Sequence, residues 1–316
     1  MALHPPTRIY QNHHLDSTRW QQFTPRPSDI VITTAYKAGT TWMQAIVTQL
    51  LFGDAVPAPL ATLSPWLDMR FSPLPPMLAT LDAQTHRRSL KSHLQLDGVP
   101  FYDALKYVYV GRHGPDVFMS LWNHFSGYTP EMRARLADPV GLIGDPQPPC
   151  PADVRELWAA WCTRGWFPWE RDGYPFWSLL HHVETWWEVR HAPNVLFVHF
   201  NDLLADLRGQ MQRVADFLEL SVPPDAWPAR MQAVTFAAMK EQPERYAPGM
   251  GQAFEGGAAR FLHKGTNGRY RDVLTDADLA LYQARVREQL SAPCARWLEH
   301  GGAIDGAARL PLSSAP

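Results

Sequence analysis

The chain has 316 residues, a formal net charge of −2 and close to half hydrophobic residues, the composition of a globular protein with room for one large α/β domain or two small ones. So small a net charge excludes a global electrostatic hold on nucleic acid, and an anionic ligand has to be met by a local cluster of Lys and Arg. Cys150, Cys162 and Cys294 lack metal-ligand or CxxC spacing, MALHPPTRIY has no basic-then-apolar leader pattern, and no apolar run reaches membrane-spanning length. A reducing, cytoplasmic setting without membrane insertion is expected.

In chain order, residues 1–28 are polar and proline-punctuated, which predicts an arm packed on the surface. Ile30 to Thr34 is a β-branched run that reads as a short buried strand. It turns through Tyr36, Lys37, Ala38 and Gly39 into an apolar segment, Trp42 to Phe52, with Ile46 and Leu50 at helical spacing. Residues 55–76 read as irregular connection. Arg88 to Leu96 predicts a second strand carrying Lys91 and His93 to its end, and Lys106 to Gly111 a third. After Arg112, Pro115 and Asp116 suit the first turn of a helix through VFMSLWNHF.

Residues 128–176 are rich in Pro, Gly and Trp and predict an irregular, aromatic-lined insert, not disorder. Helices are expected over Asp153 to Trp161 and Trp177 to Arg190, and a fourth strand over Asn194 to Phe200. Asn201 or Asp202 then caps one amphipathic helix reaching Leu218. A short helix to Lys240, a Gly-rich loop over 249–268 and a helix from Thr275 to Leu290 complete the pattern. Strands alternating with helices imply a parallel sheet covered on both faces, a three-layer α/β/α fold read as a single domain over 1–316.

Four places carry candidate chemistry. The turn Lys37-Ala38-Gly39-Thr40-Thr41 can cradle an oxyanion with backbone N–H groups and the helix dipole. It lacks GK[ST], so it does not by itself predict a metal; it also reads as an ordinary strand–helix turn with a solvated lysine. Arg112 and Ser120 flank a turn at the same carboxyl edge of the sheet, where ligands of parallel sheets bind; the arginine could instead pair Asp116. His93 with Lys91 reaches that edge too, as a structural histidine or as a general base. FLHKGTNGRYR is a basic, glycine-containing loop, either a solvated turn or a lid over an anion.

Together these four ordered segments resemble the cytosolic sulfotransferases that use 3′-phosphoadenosine 5′-phosphosulfate (PAPS). TTAYKAGTTW is similar to that family's 5′-phosphosulfate loop TYPKSGTTW, and KSHLQL to its KTHLP segment. YVGRHGPDVFMSLWNHF is similar to its 3′-phosphate motif, and FLHKGTNGRYR to its C-terminal RKGxxGDWK loop. The resemblance implies a P-loop-like phosphosulfate site in a sulfotransferase acting on a small-molecule alcohol or phenol. It implies that Lys37 stabilises the leaving group, that His93 is the base and that Lys91 supports the reacting centre. Ala38, Gly39, Thr40 and Thr41 would bind the 5′-phosphate, Trp42 and Tyr174 the adenine, and Arg112 and Ser120 the 3′-phosphate. Lys264 and Gly265 would close over the donor, and Thr235 and Phe236 match the family's TSF segment in part. No metal is implied.

Two departures stand out. Tyr36 replaces the family's usual proline. His263 stands where an arginine normally contacts the 3′-phosphate, and as a cation it would make donor binding weaken as pH rises past its pKa. A P-loop nucleotide kinase or NTPase and a non-catalytic nucleotide-binding protein of the same fold are the alternatives. The acceptor's identity and the oligomeric state stay open, the acceptor pocket being expected from residues 57–77 and 130–176.

Overall fold

In the computed structural model, which describes residues 4–304, four parallel strands form one sheet in the order β2-β1-β3-β4. Residues 1–3 and 305–316, included in the single-domain expectation, lie outside that range. The strands are β1 (Ile30–Thr34), β2 (Ser89–Ser92), β3 (Lys106–Gly111) and β4 (Val195–His199). Their register pairs Thr33 with Ser92 and with Tyr109, and Val110 with Thr34 and with Val198. Alternating side chains feed two separate cores. Ile30, Ile32, Val108, Val110 and Val198 pack under the helices Thr40–Phe52 and Leu207–Phe217. On the other face, Val31, Leu90, Tyr107, Tyr109 and Phe197 pack against the helices Gly114–Phe125, Val154–Thr163, Leu179–Trp187, Asp276–Gln289 and Ala292–His300. This is the expected three-layer α/β/α arrangement with a central parallel sheet.

Three expectations need correction. The N-terminal segment is no surface arm: Tyr10, His13, His14, Leu15 and Trp20 are buried. Asn12 Oδ1 accepts from the amides of His14 and Leu15, and Asp16 caps a 3-10 helix at Ser17–Gln22, so the polar residues serve the backbone while the rings enter the core. The single helix expected up to Leu218 is two, Phe200–Ala205 and Leu207–Phe217. Asp206 leaves helical geometry and accepts from the Gly209 amide, acting as a cap inside what reads as one apolar stripe. A last helix, Ala292–His300, was not anticipated; its buried Trp297 and Leu298 cover β4. In the aromatic insert, Trp158 and Trp161 stack on each other and Trp161 stacks on Tyr282, so both belong to the core.

Candidate functional site

The carboxyl ends of β2, β1 and β3 are neighbours, so whatever follows each strand arrives side by side at a spacing of about 5 Å. Those residues are His93, the turn of Lys37, and Arg112. They open on a cavity of about 550 Å³ that Ser120, Trp42, Phe236, His263, Lys264 and Gly265 also line. Six cationic side chains reach it, Lys37, Lys91, Arg112, Arg135, Lys264 and Arg269, and among the described residues no Asp or Glu does. In a chain of net charge −2 that is a local concentration of positive charge built for an anion.

The turn after β1 is set by backbone conformation. Lys37 has φ +69° and Gly39 φ +119°; a Cβ on Gly39 would lie 2.9 Å from the Phe200 ring, so both geometry and space call for glycine there. The Thr40 hydroxyl pairs with Thr34 Oγ1 at 2.6 Å, tying the strand end to the helix start. What remains for a ligand is the set of first-turn amides that a helix leaves without internal partners. Lys37 is pushed down to about 7 by burial, reinforced by Lys91, Arg112 and Arg269. Its Nζ lies 4.8 Å above the Phe261 ring.

His93 is wedged edge-on between Trp66 and Tyr36. Its Nδ1 lies 2.9 Å from the carbonyl oxygen of Thr34. A carbonyl only accepts, so Nδ1 carries the proton and Nε2 keeps its lone pair. Burial, with Lys91 next, holds the imidazole well below its ordinary pKa, so it is unprotonated at neutral pH. Behind it the buried Asp68 accepts from Trp66 Nε1 at 2.7 Å and from the His93 amide at 3.3 Å, fixing ring wall and histidine together. Lys91 sits 5.0 Å over Trp66 and is pushed down to about 8 by burial, against the pull of Asp68.

Arg112 does not pair Asp116. It stacks on Phe200 at 4.1 Å and donates to Asn267 Oδ1 and the carbonyls of Thr266 and Lys37. The Asp116 carboxylate instead meets His113 and accepts from the Gly268 amide. The basic C-terminal loop is thereby pinned over the strand ends. Trp42 donates to the Val234 carbonyl and meets Phe200 and Phe236, each at 5.1 Å between ring centres and at interplanar angles of 66° and 59°, making an aromatic wall beside the turn. Phe236 in turn lies under Gly265, where a Cβ would come within 2.5 Å of the ring.

Three expected contacts do not face the cavity. Tyr174 is not among its lining residues: the Gly173 and Tyr174 amides donate back to the carbonyls of Trp161 and Arg164, and the phenol ring stacks on Trp166 under the Arg164 guanidinium. Ala38 is fully buried with its amide bonded to Ala35. Thr235 uses its hydroxyl to cap the helix Phe236–Glu241. His263 accepts from Arg269 at Nδ1 and is held below its ordinary pKa by burial and by Arg269 and Lys264. In the free protein it is therefore a neutral donor through Nε2.

Other lining residues were not anticipated: His14, His124, Tyr128 and Arg269. His124 was open to detection, since it lies one helical turn after Ser120 on the same face. The apolar part of the cavity comes from Trp66, Met69, Phe71 and Met77 and, beyond Met132, from the segment 246–262. Little of the expected 130–176 stretch contributes. Among the described residues no group of three His, Cys, Asp or Glu side chains is placed to hold a metal, and no helix is long and apolar enough to cross a membrane.

Comparison with known proteins follows the same outline. Residues 27–292 match the sulfotransferase domain. A glycolipid sulfotransferase of Mycobacterium tuberculosis is 30% identical over 94% of this chain and 96% of its own length, and rat sulfotransferase 1A1 is 26% identical over 86% and 87%. Among solved structures, mouse sulfotransferase SULT7A1 complexed with PAP superposes with a TM-score of 0.67 over 90% of this chain and 93% of that one, at 16% identity.

Proposed function

The chain belongs to the sulfotransferase family, and from that premise we propose that it moves the sulfuryl group of PAPS to a hydroxyl on a small, largely apolar alcohol or phenol. The observation that carries the reading is the pairing, in one cavity, of six cations without a carboxylate and a histidine whose lone pair is left free by the Thr34 carbonyl. PAPS, when bound, supplies the sulfuryl group and a phosphate leaving group. The first-turn amides of Gly39, Thr40 and Thr41 suit its 5′-phosphate, the Trp42–Phe236 wall its adenine, and Arg112, Ser120, Lys264 and Arg269 its 3′-phosphate, with neutral His263 as one more donor.

His93 Nε2 takes the proton of the acceptor hydroxyl as that oxygen bonds to sulfur. The electron pair of the breaking sulfur–oxygen bond passes to the phosphate oxygen, where the Lys37 ammonium stabilises it. Lys91 adds positive potential beside the same centre. Five methionines, Met69, Met77, Met132, Met239 and Met250, also line the cavity; unbranched and polarisable, they suit acceptors of varied shape.

Transfer of label from PAPS to a panel of phenols, alcohols and amines, with a chelator present, tests this. Turnover on hydroxyl acceptors, abolished in Lys37→Ala with the fold intact, is expected. Full activity of Lys37→Ala would remove its role, and label transfer from ATP but not PAPS would favour the kinase alternative.

A further inference from the structure

Lys37 does not stand alone in its turn. Its Nζ lies 3.1 Å from His124 Nδ1, and His124 Nε2 lies 2.8 Å from the Tyr36 hydroxyl. Nearby, the Tyr128 hydroxyl is 3.4 Å from His14 Nε2. His14 Nδ1 is 2.6 Å from His13 Nδ1, and His13 Nε2 is 2.8 Å from the Pro175 carbonyl oxygen. His13, His14, Tyr128 and His124 are each at most 5% exposed.

The directions follow separately at two places. The Pro175 carbonyl accepts only, so His13 donates to it from Nε2 and accepts at Nδ1, and His14 donates from Nδ1 and accepts at Nε2 from Tyr128. At the turn, Lys37 as an ammonium has donors only, so His124 Nδ1 accepts from it, and His124 Nε2 carries the proton and donates to the Tyr36 hydroxyl. Burial keeps His13, His14 and His124 below their ordinary pKa values, so all three are neutral, as the scheme needs.

From this geometry we infer that Tyr36 and His124 are positioning residues for Lys37: the bond from His124 Nε2 to the Tyr36 hydroxyl fixes the imidazole so that its Nδ1 lone pair holds the Lys37 ammonium in place. The inference rests on the proposed role of Lys37 at the leaving group. Its physical sense lies in the choice of acceptor. A carboxylate would hold the lysine but cancel the charge that a polyanionic donor and its leaving group need, whereas a neutral imidazole orients the amine and leaves the charge whole. Tyr36 stands where the resembled family's motif has proline, which has no hydroxyl, so that motif does not supply this support.

Two measurements test it. Nitrogen-15 NMR of the histidines in the full chain without ligand, assigned among the 13 present by single substitutions, should find the proton on Nε2 of His124, Nδ1 of His14 and Nε2 of His13. A proton on His124 Nδ1 would overturn the inference whatever the activity assays say. In kinetics, His124→Asn keeps an acceptor near the Nδ1 position, while His124→Leu removes it. The Leu variant should lose about 10²-fold in kcat, the scale for a misplaced catalytic group, with KM for PAPS within a few-fold, and the Asn variant should recover most of that loss. Tyr36→Phe keeps the ring packing, so it guards against misfolding; it should let the His124 tautomer scramble and lower kcat about 10-fold. Equal kcat in wild type and His124→Leu would sink the inference while leaving the Lys37→Ala test of the transfer reaction untouched.

Discussion

The cavity has two walls that carry similar side chains on very different supports. One consists of His93, Lys37 and Arg112 at the ends of three adjacent strands, whose ladder pairings fix their backbone positions. The other, residues 246–269, is made of four-residue helices at Pro243–Tyr246, Met250–Ala253 and Ala258–Phe261, joined by glycines with positive φ at 249, 257, 265 and 268. Helices so short have no stability of their own. This wall is held from outside: Arg260 exchanges hydrogen bonds with Asn123, Gly268 donates to Asp116, and Arg112 donates to Thr266 and Asn267. Under the proposed function, the reacting centre would fall to the rigid wall, and entry and closure to the dependent one.

Substitutions should separate the two. The largest effect is expected on the strand-end wall, where His93→Ala should lower kcat by about 10²–10⁴-fold, the range for loss of a general base, without changing the melting temperature much. A full-speed His93→Ala enzyme would end its role as base and break the assignment.

The next effect concerns how the dependent wall is tied down. His113 bridges Asp116, at 3.0 Å, and Glu299 of the last helix, at 3.2 Å. Burial opposes its charge, but its hydrogen bonds to those carboxylates win and raise it from 6.5 to about 9. The folded-state value exceeds the unfolded one, so the stabilisation is complete below pH 6.5 and is lost as pH rises through about 9. Chemical denaturation of wild type against His113→Gln should show a gap of about 1–3 kcal/mol at pH 6 that closes by pH 9–10. A gap constant with pH would show that the imidazole is not charged there.

Smallest is the effect of Asn267→Ala, which removes one acceptor of Arg112. Roughly 1 kcal/mol for one such bond translates to a several-fold rise in KM for PAPS with kcat nearly unchanged. A fall in kcat instead would mean that the dependent wall takes part in the chemistry and that the two walls are not separable in this way.

Local pattern in the sequence determined β1 and β3, whose bounds are those read from their β-branched runs, and the alternation that makes a three-layer sheet. It also placed Lys37, His93 and Arg112 at one sheet edge, because in a parallel sheet every strand's carboxyl end lies on the same side and topology alone brings them together. The break at Asp206 and the helix Ala292–His300 were hidden because an apolar stripe continues through the first and short, mixed composition obscures the second. Whether a side chain faces the cavity was beyond the pattern: Tyr174, Ala38 and Thr235 turn away because their backbone or hydroxyl bonds are spent locally. The neighbours of Lys37 were equally out of reach. Tyr36 and His124 are 88 positions apart, and a histidine's donor and acceptor nitrogens are assigned only by what stands at each end. The sequence determined that a lysine sits in the turn after β1; which lone pair faces it, and why no carboxylate does, was decided by tertiary packing, because a histidine's free nitrogen depends on the partners that packing brings to its two sides.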